Sequence, residues 1–203
     1  MDLGLGGRTA LITGASQGVG REAARTLAAE GCNLILEARS HSYLQAVRDS
    51  ILAEHPVAIA VLACDIGGTG APEQICAAHP DIDILINNAG AIPAGMIDRV
   101  DDPTWRAAWD LKVFGYIGLT RCYFPRMTAR GSGVILNVMG ASGDRPGPNT
   151  IAIGMANSTL NAMTKAIGGT SAQHNVRVVG VNPGPIATER GIRIMRSQAE
   201  AKL

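Results

Sequence analysis

The sequence predicts an α/β protein built on a doubly wound parallel sheet of strand order 3-2-1-4-5-6. Three observations predict it. Short apolar runs alternate with helical stretches along the whole 203-residue chain. The first run ends in a glycine-rich turn, with Gly14, Gly18 and Gly20, before a helix. The later runs end in small, turn-forming residues: Cys64-Asp65-Ile66, Asn87-Asn88-Ala89-Gly90 and Asn182 to Thr188. Apolar strands separated by helices imply a parallel sheet covered on both faces. Right-handed crossovers then favour the doubly wound order, a Rossmann arrangement, with ligands beyond the carboxyl ends of the strands.

The elements follow in order. Thr9 to Ile12 reads as strand one, and its helix starts near Val19. Asn33–Glu37 is strand two, and His41–Glu54 a helix with Leu44, Val47, Ile51 and Leu52 on one face. Val57–Ala63 is strand three, Glu73–His79 a short helix and Ile82–Ile86 strand four. Pro103–Arg130 reads as one long helix and Gly133–Val138 as strand five. Ala156–Gly168 is a helix with Leu160, Met163, Thr164 and Ile167 on one stripe, and Val176–Val181 is strand six. With no linker, repeat or low-complexity stretch, residues 1–203 form a single domain.

The glycine turn carries the first chemistry. A pyrophosphate must come close to backbone amides at a helix N-terminus. A side chain at Gly14 or Gly18 would block that approach, and one at Gly20 would hold the helix off the sheet. Composition narrows the rest. Apolar residues make up 46% and charged residues 17%, a globular profile, and the formal net charge is +1. No nucleic-acid or membrane partner is therefore expected. The start lacks the basic and apolar regions of a signal peptide, and the four cysteines form no C-x-x-C pair. Free thiols, a cytoplasmic setting and no metal site are the expectation.

Taken together, TGASQGVG at 13–20, Asp65 in Cys64-Asp65-Ile66, NNAG at 87–90 and NPGPIAT at 182–188 resemble the short-chain dehydrogenase/reductase family. The resemblance covers nearly all of residues 5–190. It implies that Gly14, Ser16, Gly18, Val19 and Gly20 line the pyrophosphate and adenosine ribose. Asp65 and Ile66 would sit by the adenine, and Asn87, Ala89 and Gly90 at the sheet centre and cofactor ribose. Pro183, Gly184, Ile186 and Thr188 would hold the nicotinamide end. Dinucleotide choice is read after strand two, where NAD-preferring members carry an acid for the ribose 2′-hydroxyl. Ala38 stands there, followed by Arg39, whose guanidinium suits a 2′-phosphate. This favours NADP(H) over NAD(H); a slip of one residue would make Glu37 the ribose acid instead.

The family's chemistry rests on a Ser, a Tyr, a Lys one turn later, and an Asn on the long helix. This sequence matches none of them. The serine position falls on Gly140, tyrosine on Ile153, lysine on Asn157, and the asparagine on Lys112. The tyrosines, at 43, 116 and 123, all lie outside the stretch between strands five and six, so no small shift recovers the acid. Two positions look exchanged: asparagine to Lys112 and lysine to Asn157. Lys112 then reaches the vacated space, or it is a partly exposed helix lysine with Asn157 as polar filler. Ser142, two residues past the serine position, is a further candidate for the catalytic set.

The resemblance thus implies an NAD(P)(H)-binding oxidoreductase acting on an alcohol or carbonyl of a small molecule by a non-standard proton transfer. A non-catalytic dinucleotide-binding protein, a sensor or partner subunit, is the alternative. Residues 185–203 would form part of a substrate lid. The seventh strand of the family is missing from this stretch; either the protein is naturally short or its tail is not represented. Association as a homodimer or homotetramer is expected through helices 103–130 and 156–168, with Trp105, Trp109, Phe114 and Tyr123 as apolar surface.

Overall fold

The computed structural model describes residues 3–188 and 191–192. Six strands form one parallel sheet: β1 (Thr9–Thr13), β2 (Asn33–Ala38), β3 (Ile59–Ala63), β4 (Ile84–Asn87), β5 (Gly133–Val138) and β6 (Val176–Val181). Their order is β3-β2-β1-β4-β5-β6, as the sequence predicts. Order reverses between β1 and β4, so a crevice opens at the carboxyl ends of those two strands.

The alternation of a strand's side chains sorts the core into two layers. Ala10, Ile12, Leu34, Leu36, Ile84 and Ile86 pack on one face, against α1 (Gly18–Ala29) and α2 (His41–Leu52). Leu11, Ile35, Leu85 and Ile135 pack on the other, against α3 (Ala71–Ala78) and α5 (Gly115–Arg130). The last helix, α6 (Ile151–Ser171), joins this second side through Ile167. β1, β2 and β4 are therefore buried on both faces, which is why they read as continuous apolar runs.

Two helices differ from expectation. The stretch read as one helix from Pro103 is α4 (Asp102–Trp109), a wide π turn at Asp110–Phe114, and then α5. Such a widened turn shifts the helical phase by one residue. It leaves Phe114 outside at 57% exposure and turns Lys112 inward at 8%. The other helix, α6, starts at Ile151 rather than Ala156, so positions 153 and 157 lie one turn apart on regular helix.

The aromatic surface is also reassigned. Tyr123 is buried, and its hydroxyl donates to the His79 carbonyl at 2.9 Å. Trp109 is half-buried and donates from Nε1 to Ala152 O at 3.3 Å. Both belong to the protein's own packing, while Phe114 is left outside. Among the described residues β6 pairs only with β5, and Val179 and Val181 are exposed on it. The lid reading falls mostly on residues 189–190 and 193–203, which lie outside the described residues.

Candidate active site

The glycine turn has the form its residue types require. Gly14 and Gly18 take φ of +64° and +56°, values that favour glycine. A Cβ on Gly14 would come within 2.9 Å of Ala89 Cα, and one on Gly20 within 2.5 Å of Asn88 Nδ2. The turn is thus pressed against the segment after β4. Thr13 joins the two: its Oγ1 accepts from Asn88 N at 2.9 Å and Ala89 N at 3.0 Å. Asn88 answers by donating from Nδ2 to Thr13 O at 2.9 Å and Gly14 O at 3.3 Å.

A phosphate group fits this cradle. Among the described residues no side chain caps the start of α1, and its first turn carries no acid. The leading amides and the positive end of the helix therefore remain available to an anion. Thr188 closes the cradle from the far side, its methyl 3.4 Å from the place of a Gly18 Cβ. Ser16 and Val19 are half-buried on the same turn.

The adenosine end is mixed. Ala38 is buried, and Arg39 is exposed just beyond it. Asp65 is exposed, and its Oδ1 accepts from Gly67 N at 2.9 Å, closing a turn. Ile66 turns its side chain inward. It is 1% exposed and packs in the core, with Cδ1 2.9 Å from the place of a Gly115 Cβ. Only its backbone is left to face a ligand.

Asn87 is fully buried and serves the sheet centre. Its Nδ2 donates to Asn137 Oδ1 at 2.9 Å and Thr120 Oγ1 at 3.3 Å, and Asn137 Nδ2 donates to Thr164 Oγ1 at 2.9 Å. This network ties β4 and β5 to α5 and α6. Ala89 lies beside Thr13, and Gly90 makes room for Lys112. A Cβ on Gly90 would sit 3.1 Å from Lys112 Cδ.

Lys112, Asn157 and Ser142 come together around the end of β5. Lys112 Nζ donates to Met139 O at 3.1 Å and lies 6.0 Å from the centre of the Tyr116 ring. Gly140 follows, with φ of +153°, and a Cβ there would be 2.9 Å from Asn157 Nδ2. The absence of a side chain at Gly140 is therefore what admits the Asn157 amide. Asn157 Nδ2 donates to Ser142 Oγ at 2.9 Å, while its buried Oδ1 has no hydrogen-bond partner. Ile153 is half-buried in an apolar cluster with Trp105, Trp109 and Ile117.

A carboxamide set supports this floor and was not foreseen. Asn182 Oδ1 accepts from Gly140 N at 3.4 Å, and its Nδ2 donates to Asp144 Oδ2 at 3.0 Å and Asn161 Oδ1 at 3.1 Å. Pro183 O accepts from Ala141 N at 3.1 Å, which docks the segment after β6 onto the site. Gly184 and Ile186 continue it in exposed positions. Thr13, Asn88 and Asn182 sit inside the quoted motifs, so the signal for them was present as a residue type without a stated partner.

A doubly wound sheet with a phosphate cradle at its switch point, and a polar floor beside it, defines a Rossmann-type protein of the dehydrogenase class. The chain belongs to the short-chain dehydrogenase family, whose model matches residues 8–199. It is 34% identical over 191 residues to the NADPH-dependent reductase BacG of Bacillus subtilis (strain 168), covering 90% of this chain and 73% of that protein. Among solved structures it resembles YwfH, an NADPH-dependent reductase involved in bacilysin biosynthesis. That match has 30% identity and a TM-score of 0.87, covering 94% of this chain and 77% of the other. The L-sorbose reductase of Gluconobacter frateurii, solved with NADPH and L-sorbose, matches at 28% identity and a TM-score of 0.88, covering 98% and 78%.

Among the described residues no helix is long and apolar enough to cross a membrane, and no cluster of metal-ligating residues occurs. The four cysteines are free.

Proposed function

We propose that this chain is an NADP(H)-preferring oxidoreductase that acts on an alcohol or carbonyl of a small molecule, with proton handling moved from a tyrosine to Lys112, Ser142 and Asn157. The observation that carries this reading is the buried Lys112 Nζ at Met139 O, next to Gly140 and Asn157. When bound, the nicotinamide would supply or accept the hydride, and the protein would orient it. Lys112 holds the negative charge that grows on the substrate oxygen. Ser142 Oγ already accepts from Asn157, which leaves its hydroxyl free to hydrogen-bond that oxygen, while the proton that completes the alcohol would come from the Lys112 ammonium or from water. The orphan Asn157 Oδ1 is a buried acceptor for a ribose hydroxyl or a water.

The preference for NADP(H) is supported by exposed Arg39 beside buried Ala38, and by relatives named as NADPH-dependent. Glu37 offers no carboxylate to the ribose, because it folds back onto Gly14 N at 3.3 Å. On this reading the adenine would lie near Asp65, and the nicotinamide end along 183–188. Free thiols support a cytoplasmic setting. An apolar cleft of about 450 Å³ between α5 and α6, lined by Ile117, Phe124, Met163 and Ile167, supports self-association.

The test has two stages. Fluorescence titration with NADPH and NADH is expected to show tighter binding of NADPH. Consumption of NADPH over a panel of carbonyl compounds is then compared for wild type and Lys112→Ala. Loss of a positioned group of this kind lowers the rate about 10²–10⁴-fold. Binding without turnover in either form, on any carbonyl, would overturn the enzymatic reading.

A further inference from the structure

Glu37 takes no part in the chemistry above, yet it lies directly under the cradle. Its side chain is 2% exposed at the carboxyl end of β2. Oε2 accepts from Gly14 N at 3.3 Å, and Cys64 Sγ lies 3.9 Å from Oε1. Its backbone carbonyl accepts from Ala15 N at 2.9 Å. One residue therefore grips two consecutive amides of the glycine turn, and its buried carboxyl lies beneath the turn that the dinucleotide reading assigns to the phosphates. Thr13, its neighbour across the β1–β2 ladder, is uncharged.

The groups facing it are few. From β3 come the Cys64 thiol, itself pushed up to about 12 by burial, and Asp65 beyond it. Arg39 follows its own strand, and the turn after β1 presents the backbone of Gly14. Among the described residues no ion pair neutralises it. Burial is the largest influence and raises its pKa to about 8; the Gly14 hydrogen bond and Arg39 pull the other way, and Asp65 adds to the rise.

We propose that Glu37 is a proton-linked residue of the cradle: the phosphates of an incoming dinucleotide are accepted when this carboxyl is neutral, so that binding draws a proton onto it. The inference rests on the dinucleotide reading above. An ionised Glu37 places a negative charge beside the amides that an anionic ligand needs. It acts as an internal competitor for the field at the start of α1. Protonation removes that charge and keeps the contact, because the carbonyl oxygen of a neutral carboxyl still accepts from Gly14 N. Uptake of a proton on binding makes affinity fall as pH rises.

The test is isothermal titration of the whole chain with NADPH at pH 8, in two buffers of different ionisation enthalpy. Wild type is expected to take up about half a proton per site. Its Kd rises about tenfold or more between pH 7 and 9.5. Glu37→Gln takes up none and holds its Kd within about twofold over that range. NADH repeats the experiment without the 2′-phosphate, whose own titration lies lower, near pH 6 by analogy with phosphoserine. Binding with no buffer-dependent heat, or the same proton count in Glu37→Gln, overturns the inference and leaves the function reading intact. Failure to bind either dinucleotide at any pH overturns both. The wild-type proton count needs no variant, so a poorly folding Glu37→Gln leaves the test in force.

Discussion

Replacing Glu37 with Gln is expected to change the pH dependence of stability in the free protein, apart from any ligand. In the fold the carboxyl titrates at about 8, against an ordinary value of 4.5. Between these values the folded chain holds a proton that the unfolded chain has released. Stability of that kind is complete below pH 4.5 and is lost as pH rises through the folded value. Each unit corresponds to about 1.36 kcal/mol, so the interval from pH 5.5 to 8 removes roughly 3 kcal/mol from wild type. Glutamine keeps an oxygen for Gly14 N and cannot ionise, so the variant lacks this slope.

Urea denaturation of both proteins at intervals from pH 5.5 to 8.5 measures the difference. Glu37→Gln gains on wild type by roughly 3 kcal/mol across the range, or about 6–12 °C in midpoint temperature for a chain of this size. A capping carboxylate has the opposite sign. Asp101, which caps α4 by accepting from Thr104 N at 2.8 Å, is held below its usual value and is lost only in acid. Such groups are common to both proteins and cancel in the difference. A gap between the two that stays constant with pH to within about 0.5 kcal/mol refutes the reasoning, because it means the buried carboxyl is not titrating near 8.

Restoring the family serine alone is expected to destabilise. Gly140→Ser forces a side chain onto φ of +153° and against Asn157 Nδ2, a cost of about 1–3 kcal/mol from the backbone alone. Asn157→Ala relieves the contact, so a double-mutant cycle followed by denaturation shows favourable coupling of about 0.5–3 kcal/mol; strict additivity speaks against the fit described for this floor. Sedimentation velocity checks the apolar cleft between α5 and α6. Wild type sediments as a dimer or tetramer and Phe124→Glu as a smaller species, whereas a monomeric wild type ends that reading.

Much of this was legible in the residues. β5 and β6 begin and end where their runs in the sequence do. β3 begins at Ile59 rather than Val57 because Pro56 supplies no amide and the Ala58 amide is taken by Asn33 Oδ1 at 3.0 Å. The π turn was not legible. Its sequence, Asp110-Leu111-Lys112-Val113-Phe114, keeps a helical pattern on both sides, and the phase shift is set by contacts far along the chain. Gly67 lies against Leu111, where a Cβ would meet the Leu111 amide nitrogen at 2.8 Å. The same limit applies to Ile66. Its place after β3 was readable, but only the packing of Gly115 against it shows that its side chain points into the core.

The cradle and the floor respond differently to substitution, and that difference bears on function. Every glycine of the cradle stands where a Cβ would strike backbone, force a left-handed conformation, or both, so its form follows from residue type. The floor is held by mutual fit. Gly140 admits the Asn157 amide, that amide engages Ser142, Lys112 runs over Gly90 to Met139 O, and Ile153 fills an apolar cluster with two tryptophans. Loss of the usual residues by drift would leave buried polar groups stranded across the site, each costing about 1–3 kcal/mol. Here the amide of Asn157 is engaged, while its Oδ1, like that of Asn87 at the end of β4, is buried without a hydrogen-bond partner among the described residues. On the proposed function, that acceptor, beside the Lys112–Met139 contact, is where a ligand hydroxyl would complete the hydrogen bonding. The floor thus has its own packing, and a tyrosine at position 153 by itself would place a phenol in the apolar cluster of Trp105, Trp109 and Ile117 while Asn157 still filled the space beside Gly140.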